Sequence, residues 1–336
     1  MRAIVLHQKG TPADLKLEEL PEPTPPEGGA VVRLHAAALN HRDVWIMKGQ
    51  YAKIRLPCVL GSDGAGVVES VAAGVAQSWV GRRVLINPQS GWGPDPRAQG
   101  PNFLILGMPE QGTMAERIAM PLSRLQPVPE HLSFEEAAAL PLAGLTAYRA
   151  LVSRGDLLAD DHVLVTGIGG GVATLALIIA GALGADVSVT SSSAEKLARA
   201  KELGAVFGIS YKTPDWEKEL IKAVGRPPVL IVDSAGGDGI RALINGVAPG
   251  GRIVFYGATN GSPSGLDMPK IFYKQIDLRG TTMGTDNEFR DMVQLFARTR
   301  ARPVVDRVFP LSQAAAAMER MMKSEQMGKI VLDCTK

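Results

Sequence analysis

Val163-Leu-Val-Thr-Gly-Ile-Gly-Gly-Gly-Val-Ala173 runs an apolar strand into a glycine turn and on into an apolar helix. Side chains in such a turn would hold a pyrophosphate away from the backbone N–H groups at the helix N-terminus. The spacing is not G-x-G-x-x-G, because counting from Gly167 lands on Val172 at the last position. What fits is Gly167-x-x-Gly170-x-x-Ala173, with Gly169 and Gly171 adding backbone freedom and alanine still allowing close helix–sheet packing. A bare turn of this kind also reads as a plain strand–helix connection with no ligand. The run after the helix, 187–190, decides more: it ends in Ser191-Ser192-Ser193, where dinucleotide folds often carry an acid. A carboxylate there bonds a ribose 2′-OH, whereas hydroxyls leave room for a 2′-phosphate. The reading is a dinucleotide site leaning toward NADP(H).

Outward from the turn, strand-like runs at 163–166, 187–190, 206–209, 229–232, 253–256 and 277–280 alternate with helical patterns. Those patterns cover 172–183, 194–203, 215–224, 238–247 and 268–274. The alternation predicts an α/β domain with a doubly wound, parallel, six-stranded sheet. The helix from Val172 is almost wholly apolar, but even counted to Ala185 it is fourteen residues, short of the ~20 needed to cross a bilayer. No membrane association is expected.

At 336 residues the chain suits two domains rather than one core. A hydrophobic content of 46%, 21% charged residues and a net charge of +2 describe an ordinary globular protein without a nucleic-acid surface. The N-terminus enters an alternating strand with no secretory pattern. Two cysteines, Cys58 and Cys334, make no disulfide framework and read as small buried hydrophobes. The expected location is the cytoplasm.

The first 125 residues differ in texture from the middle. The turn-rich Pro21-Glu-Pro-Thr-Pro-Pro-Glu-Gly-Gly29 links strand-like 15–19 to 30–38, and short runs follow at 64–71, 84–87 and 114–120. Gly and Pro split them, which predicts a compact, mostly antiparallel β domain. Ser133-Phe-Glu-Glu136 is a capping box opening a helix, and 144–152 predicts a second. After Gly280 the pattern runs helix 288–299, strand 304–309, helix 313–323 and strand 329–333. That tail has no place in the six-stranded sheet and is expected to rejoin the N-terminal domain.

Six segments in this order resemble the medium-chain dehydrogenase/reductase superfamily. They are Ala38-Leu-Asn-His-Arg-Asp43, Leu60-Gly-Ser-Asp-Gly-Ala-Gly-Val-Val68, Glu136-Ala-Ala-Ala-Leu-Pro-Leu-Ala-Gly-Leu-Thr-Ala-Tyr148, the Gly167 turn, Asp233-Ser-Ala-Gly-Gly237 and Gly328-Lys-Ile-Val-Leu332. Within the superfamily the chain looks like the zinc-independent quinone oxidoreductase and zinc-free alcohol dehydrogenase-like branch. The resemblance implies a GroES-like β-rich catalytic domain at 1–125, an inserted Rossmann NADP-binding domain at 126–284, and a segment at 285–336 completing the first. It also implies an active site in the cleft between them and a homodimer, paired through the edge strand 277–280.

Zinc-dependent members hold a catalytic metal through Cys, His and a third ligand, with Gly-His-Glu as the local signature. Here Asn40 stands at the first ligand's place, Gly61-Ser62-Asp63 replaces Gly-His-Glu, and Pro141-Leu-Ala-Gly-Leu-Thr146 brings no thiol or imidazole. Amide, hydroxyl and alkyl groups do not make a catalytic zinc set. The segment 87–112, where a structural zinc would need four cysteines, has none. No metal is expected. A divergent site from His41, Asp43 and Asp63 is the weaker reading beside one in which Arg42 and Asp43 bond local backbone and Asp63 joins a turn. The other histidines, His7, His35, His131 and His162, read as surface or strand positions.

Without a Lewis acid, reduction depends on geometry and on donors aimed at developing negative charge. By resemblance Asn40 and Thr146 border the nicotinamide, and Gly257-Ala-Thr259 lies along its ribose and carboxamide. Ser234 and Tyr256 belong to the same implied set. Candidate proton donors are Tyr51, Tyr256, His41 or a water; each tyrosine also reads as a core ring with a bonded hydroxyl. Asp43 reads as an exposed carboxylate orienting backbone rather than as an acid. For the 2′-phosphate the candidates are Ser191, Ser192, Lys196 and Tyr211, with Ser192 and Glu195 also fitting a capping box and Lys196 also reading as a solvated helix residue. Gly167, Gly169, Gly170, Gly171 and Val172 complete the cofactor set. The expected function is NADPH-dependent reduction of a quinone or α,β-unsaturated carbonyl. Its rivals are an alcohol or aldehyde dehydrogenase acting on simple carbonyls, and a non-catalytic NADPH-binding sensor or scaffold.

Overall fold

The computed structural model describes all residues, Met1–Lys336. The chain forms two compact units, Thr146–Met283 and Met1–Leu145 with Gly284–Lys336. The helices Phe134–Ala138 and the first turn of Pro141–Leu151 fall in the second of these. The sequence division at 125 had assigned them to the nucleotide domain.

Thr146–Met283 holds one parallel sheet of six strands. Its spatial order is Phe207–Ser210, Asp186–Ser191, His162–Val165, Leu230–Asp233, Arg252–Phe255, Asp277–Gly280. The order reverses beside His162–Val165, so the first strand's C-terminal end lies at the switch point where doubly wound sheets take their ligand. His162–Val165 and Leu230–Asp233 are buried along their whole length, as parallel strands between helices must be. The imidazole of His162 is tolerated there because Nε2 lies 2.8 Å from the Ser188 hydroxyl and Nδ1 3.0 Å from the Arg226 carbonyl. The apolar run alone therefore starts this strand one residue late. The apolar helix Gly171–Ala182 packs as an interior helix. No helix is long and apolar enough to cross a membrane.

The other unit carries the β-rich part. The ten-residue strand Gly29–Ala38 is its spine. On one side it pairs antiparallel with Asp63–Val71; along its other edge it takes Arg117–Pro121 and then Lys329–Asp333. Val305–Pro310 adds parallel to Lys329–Asp333, so the tail does rejoin the N-terminal strands. A second sheet joins Leu15–Glu19, Arg2–Leu6 and Cys58–Val59. One core gathers Leu6, Ile46, Met47, Leu60, Met114 and Met318; another gathers Leu34, Val84, Ile86 and Leu106. Both cysteines are buried and free, and burial pushes the Cys58 thiol up to about 11.

Register decides what meets at one end of the large sheet. Ala38 faces Asp63 on one side and Val331 on the other. Leu39 N–H then bonds the Ile330 carbonyl at 3.0 Å. One step further along, Asn40, Asp63 and Lys329 converge from three distant parts of the chain.

Candidate functional site

In the Thr146–Met283 unit the glycine turn joins His162–Val165 to the helix Gly171–Ala182. Gly167 sits at φ +65° and Gly169 at φ +132°, backbone that L side chains rarely adopt. A Cβ built on Gly167 or Gly170 would meet nothing within 4 Å. The turn is thus an open cradle of main chain ahead of a helix N-terminus, the arrangement that receives a phosphate. Gly170 is the helix N-cap and offers no side-chain oxygen to the first turn's N–H groups, and Val172 follows inside that turn.

Neighbouring strands hold the cradle in place. Thr166 Oγ1 donates to the buried Asp233 at 2.5 Å, and the other Asp233 oxygen accepts from Gly236 N–H at 2.8 Å. Gly167 N–H reaches Thr190 Oγ1 at 3.2 Å, and Ile168 N–H reaches the Thr190 carbonyl at 2.8 Å. Thr166 and Thr190 had no site role in the sequence, and Asp233 stood there only within a resemblance segment. Their signal was available: each is a polar residue closing an apolar strand.

At the end of Asp186–Ser191 the Ser191 hydroxyl accepts from Ser193 N–H at 3.1 Å. The cap of the next helix is Ser193, which accepts from Lys196 N–H at 3.3 Å; the capping role considered for Ser192 is therefore corrected. The helix begins one residue later than the Ser192–Glu195 pattern requires, leaving Ser192 exposed at the strand's end. Lys196 lies back over the turn, its Nζ 3.1 Å from where a Gly169 Cβ would stand. Tyr211 is exposed beyond Phe207–Ser210, whose Ser210 is in register with Ser191. Ser191, Ser192 and Tyr211 thus share the C-terminal edge of two adjacent strands. On the other side of the switch point, Thr259 bonds the Ser234 carbonyl through both N–H and hydroxyl. Gly257 and Ala258 are exposed beside it. Burial pushes the Tyr256 hydroxyl up to about 12, against the opposing pull of a bond with Ser234. Thr146 is buried on the helix Pro141–Leu151, which starts three residues earlier than expected because Pro141 occupies its first turn.

In the Met1–Leu145 and Gly284–Lys336 unit, the sheet end holds a buried polar centre. Lys329 Nζ donates to Asp63 Oδ2 at 2.8 Å, Asn40 Oδ1 at 2.6 Å and the Leu39 carbonyl at 2.7 Å. Asn40 Nδ2 donates to the same Asp63 oxygen at 2.9 Å. Asp63 Oδ1 accepts from Leu142 N–H at 2.7 Å, capping the helix that Pro141 begins. Asp63 opens the strand Asp63–Val71 and is fully buried, which corrects its expected place in a turn. Ser62 is spent elsewhere, at 2.6 Å from Arg42 Nη1 and 2.8 Å from the Leu106 carbonyl. Arg42 bonds the distant Leu106 and Met108 carbonyls rather than local backbone and lies over the Tyr51 ring, 5.0 Å from its centroid.

Asp43 accepts from Asn40 N–H at 2.8 Å, so it does orient backbone. It is fully buried, however, not exposed as the sequence suggested, and its other oxygen has no partner. Burial raises its pKa, against Arg42, the Asn40 N–H and Lys329. His41 is exposed at the start of the helix His41–Met47, which also carries Asp43; desolvation and then the Lys329 charge hold its imidazole below the ordinary value. No three His, Cys, Asp or Glu side chains converge where they could hold a metal ion. Lys329 was missed in the sequence. A lone charge opening the apolar run 329–332 was the signal.

Two family models match the chain: an alcohol dehydrogenase GroES-like domain over residues 26–130 and a zinc-binding dehydrogenase domain over 171–298. A zinc-type alcohol dehydrogenase-like protein, YogA, of Leptosphaeria maculans is 36% identical, over 95% of this chain and 94% of that protein. The chain belongs to the medium-chain dehydrogenase/reductase superfamily. A solved NAD-dependent alcohol dehydrogenase superposes on it with a TM-score of 0.94 at 39% identity, covering 99% of both chains. A mycobacterial protein solved in complex with NADPH superposes at 0.82 with 26% identity, over 99% of both chains. The fold is accordingly GroES-like plus Rossmann-type, and this superfamily member is an oxidoreductase with a nicotinamide-cofactor domain.

Proposed function

We propose that the chain is a zinc-independent, NADPH-dependent oxidoreductase that reduces a small electron-poor substrate, a quinone or an α,β-unsaturated carbonyl. The observation that carries this reading is the donor set at the sheet end. A catalytic zinc wants three N, S or carboxylate ligands and an open position. The chain instead presents the Asn40 amide, a Ser62 hydroxyl already bonded to Arg42, and an Asp63 carboxylate held by the Lys329 ammonium. A divalent cation there would have to displace a buried positive charge. The residues do not suit zinc.

The residues do suit a phosphorylated nicotinamide cofactor. The open main chain at Gly167 and Gly170 would take the pyrophosphate, and Ser191, Ser192, Lys196 and Tyr211 would surround a 2′-phosphate without a carboxylate to repel it. When bound, the reduced cofactor supplies a hydride. The chain's own part is to present a donor to the substrate oxygen that gains the electron pair, and Asn40 is the amide placed for it. Water or the Tyr51 hydroxyl delivers the balancing proton. The Tyr51 hydroxyl accepts a long 3.4 Å bond from Arg42 and keeps its own proton to give.

A second reading, an alcohol dehydrogenase acting on simple carbonyls with NAD(H) or NADP(H), is favoured by the names of the relatives. Incubating a conjugated enone with NADPH separates the two: a saturated ketone supports the first, an allylic alcohol the second. Tight NADPH binding without consumption across quinones, enones and aldehydes would leave a sensor or scaffold. Stoichiometric zinc in active protein, with turnover lost to a chelator, would overturn the zinc-free reading.

We also propose a homodimer, built on the edge strand Asp277–Gly280. In the same unit Phe272 and Tyr273 are 70% and 84% exposed, a large apolar surface for a helix of this size. The buried free thiols of Cys58 and Cys334 suit a reducing cytoplasm.

A further inference from the structure

We propose that Lys329 is a positioning residue for the reduction, its ammonium fixing the Asn40 carboxamide so that one Nδ2–H faces the substrate oxygen. The inference rests on the reductase reading above and adds a residue to it. Lys329 is 3% exposed and its partner Asp63 0%, and the ammonium's three hydrogens meet three acceptors at 2.6 to 2.8 Å. Nothing remains on Lys329 to touch a substrate. Asn40 has one hydrogen to spare: Oδ1 accepts from Lys329, and one Nδ2–H goes to Asp63. Its second Nδ2–H has no acceptor within the protein, and at 7% exposure Asn40 is the most exposed member of the trio.

The network also decides which way the amide points. Turned over, Asn40 would set its NH2 against the ammonium and its oxygen against the carboxylate, two repulsions in place of two bonds. An unpaired asparagine has no such preference. The ammonium on the amide oxygen also draws density from the nitrogen, which strengthens the outward N–H as a donor to developing negative charge. A buried ion pair is a poor device for stability, since desolvating both charges offsets most of their attraction. Its presence at this position suits orientation better than stabilisation. The strand register supplies the placement: Ile330 accepts from Leu39 N–H, and Lys329, the residue before it at the start of the strand, lies beside Asn40.

The test compares the parent with the neutral double variant Lys329→Met/Asp63→Asn, which keeps an acceptor for Leu142 N–H but removes the electrostatic reason for one amide orientation. Circular dichroism and NADPH titration should match the parent. With a quinone or enone, kcat should fall about a hundredfold while KM moves little, the signature of a lost donor to transition-state charge. The single variant Lys329→Arg keeps the charge and should recover part of kcat; it also serves if the double variant does not fold. Side-chain amide NMR gives a readout without turnover. Asn40 Nδ2 should give one well-dispersed proton pair in the parent and shifted or doubled signals in the variants. A folded, NADPH-binding double variant with kcat within about threefold of the parent overturns the inference, as do unchanged Asn40 amide signals in the variants. A parent that turns over no quinone or enone overturns the reductase reading instead, and the amide signals then decide the positioning role alone.

Discussion

Single residues set two of the properties most open to experiment. In the proposed reading Ser191 stands where an acid would select NAD(H); its hydroxyl accepts from Ser193 N–H. Ser191→Asp keeps that acceptor and adds a charge repelling a 2′-phosphate. The ratio of NADPH to NADH affinity should shift toward NADH by about tenfold or more, as a charge-assisted bond of ~1.5–3 kcal/mol implies. Fluorescence titration with both cofactors would show it; an unchanged ratio would remove Ser191 from the 2′ site. Asp43 offers a pH test. Burial raises its pKa in the fold, so the folded state holds this proton more tightly than the unfolded chain does. Its contribution is fully present below the ordinary value of about 4 and is lost as pH rises through the raised one. Asp43→Asn still accepts from Asn40 N–H and has no proton to lose. Urea unfolding between pH 4 and 8 should show the parent losing stability that the variant keeps. Parallel curves would sink the idea.

At the scale of the element, the glycine turn is a strand end, a loop only glycine can adopt freely and a helix start bound into one piece. Thr190 and Asp233 tie it to its two neighbouring strands, so its shape belongs to the sheet as much as to the glycines. At Gly169 a Cβ would face both a φ of +132° and Lys196 Cδ at 2.8 Å. Gly169→Ala should therefore weaken NADPH binding by about tenfold, since strain in this backbone region amounts to roughly 1–3 kcal/mol. Far-ultraviolet circular dichroism should stay unchanged. Parent-like affinity in a folded variant would show that the turn does not carry the cofactor. Parts of this element were legible in advance: the Gly167, Gly170 and Ala173 spacing, the apolar helix and the strand of hydroxyls. The cap at Ser193 instead of Ser192 was not, because two serines in a row offer the same pattern one residue apart and only the helix's actual start chooses between them.

For the whole molecule, the edge strand Asp277–Gly280 and the exposed Phe272 and Tyr273 frame the assembly prediction. Light scattering should return twice the mass of the chain. Phe272→Glu/Tyr273→Glu should return a monomer that still binds NADPH, because neither ring lies in the buried core. A parent that runs as a monomer at micromolar concentration would end the proposal. The tail's return to the N-terminal strands followed from a pattern with no room in a six-stranded sheet, and Lys329–Asp333 pairs with Gly29–Ala38 as that required. The helices before the Rossmann strand were harder to assign. A capping box shows where Phe134–Ala138 begins, but not which strands it will lie against.

Read alone, the sequence determined the parallel sheet, the open glycine turn, the apolar β-rich segment and the absence of a Cys–His set at Asn40 and Ser62. Each of these is written in local spacing, periodicity or the chemistry of one side chain. The tertiary structure alone decided that Asn40, Asp63 and Lys329 share one buried centre, that Asp43 lies in the interior, and that Arg42 reaches across to Leu106 and Met108. Those contacts join residues far apart in the chain. They exist only because three strands fall into a single register, and no local pattern encodes a register between segments that have yet to meet.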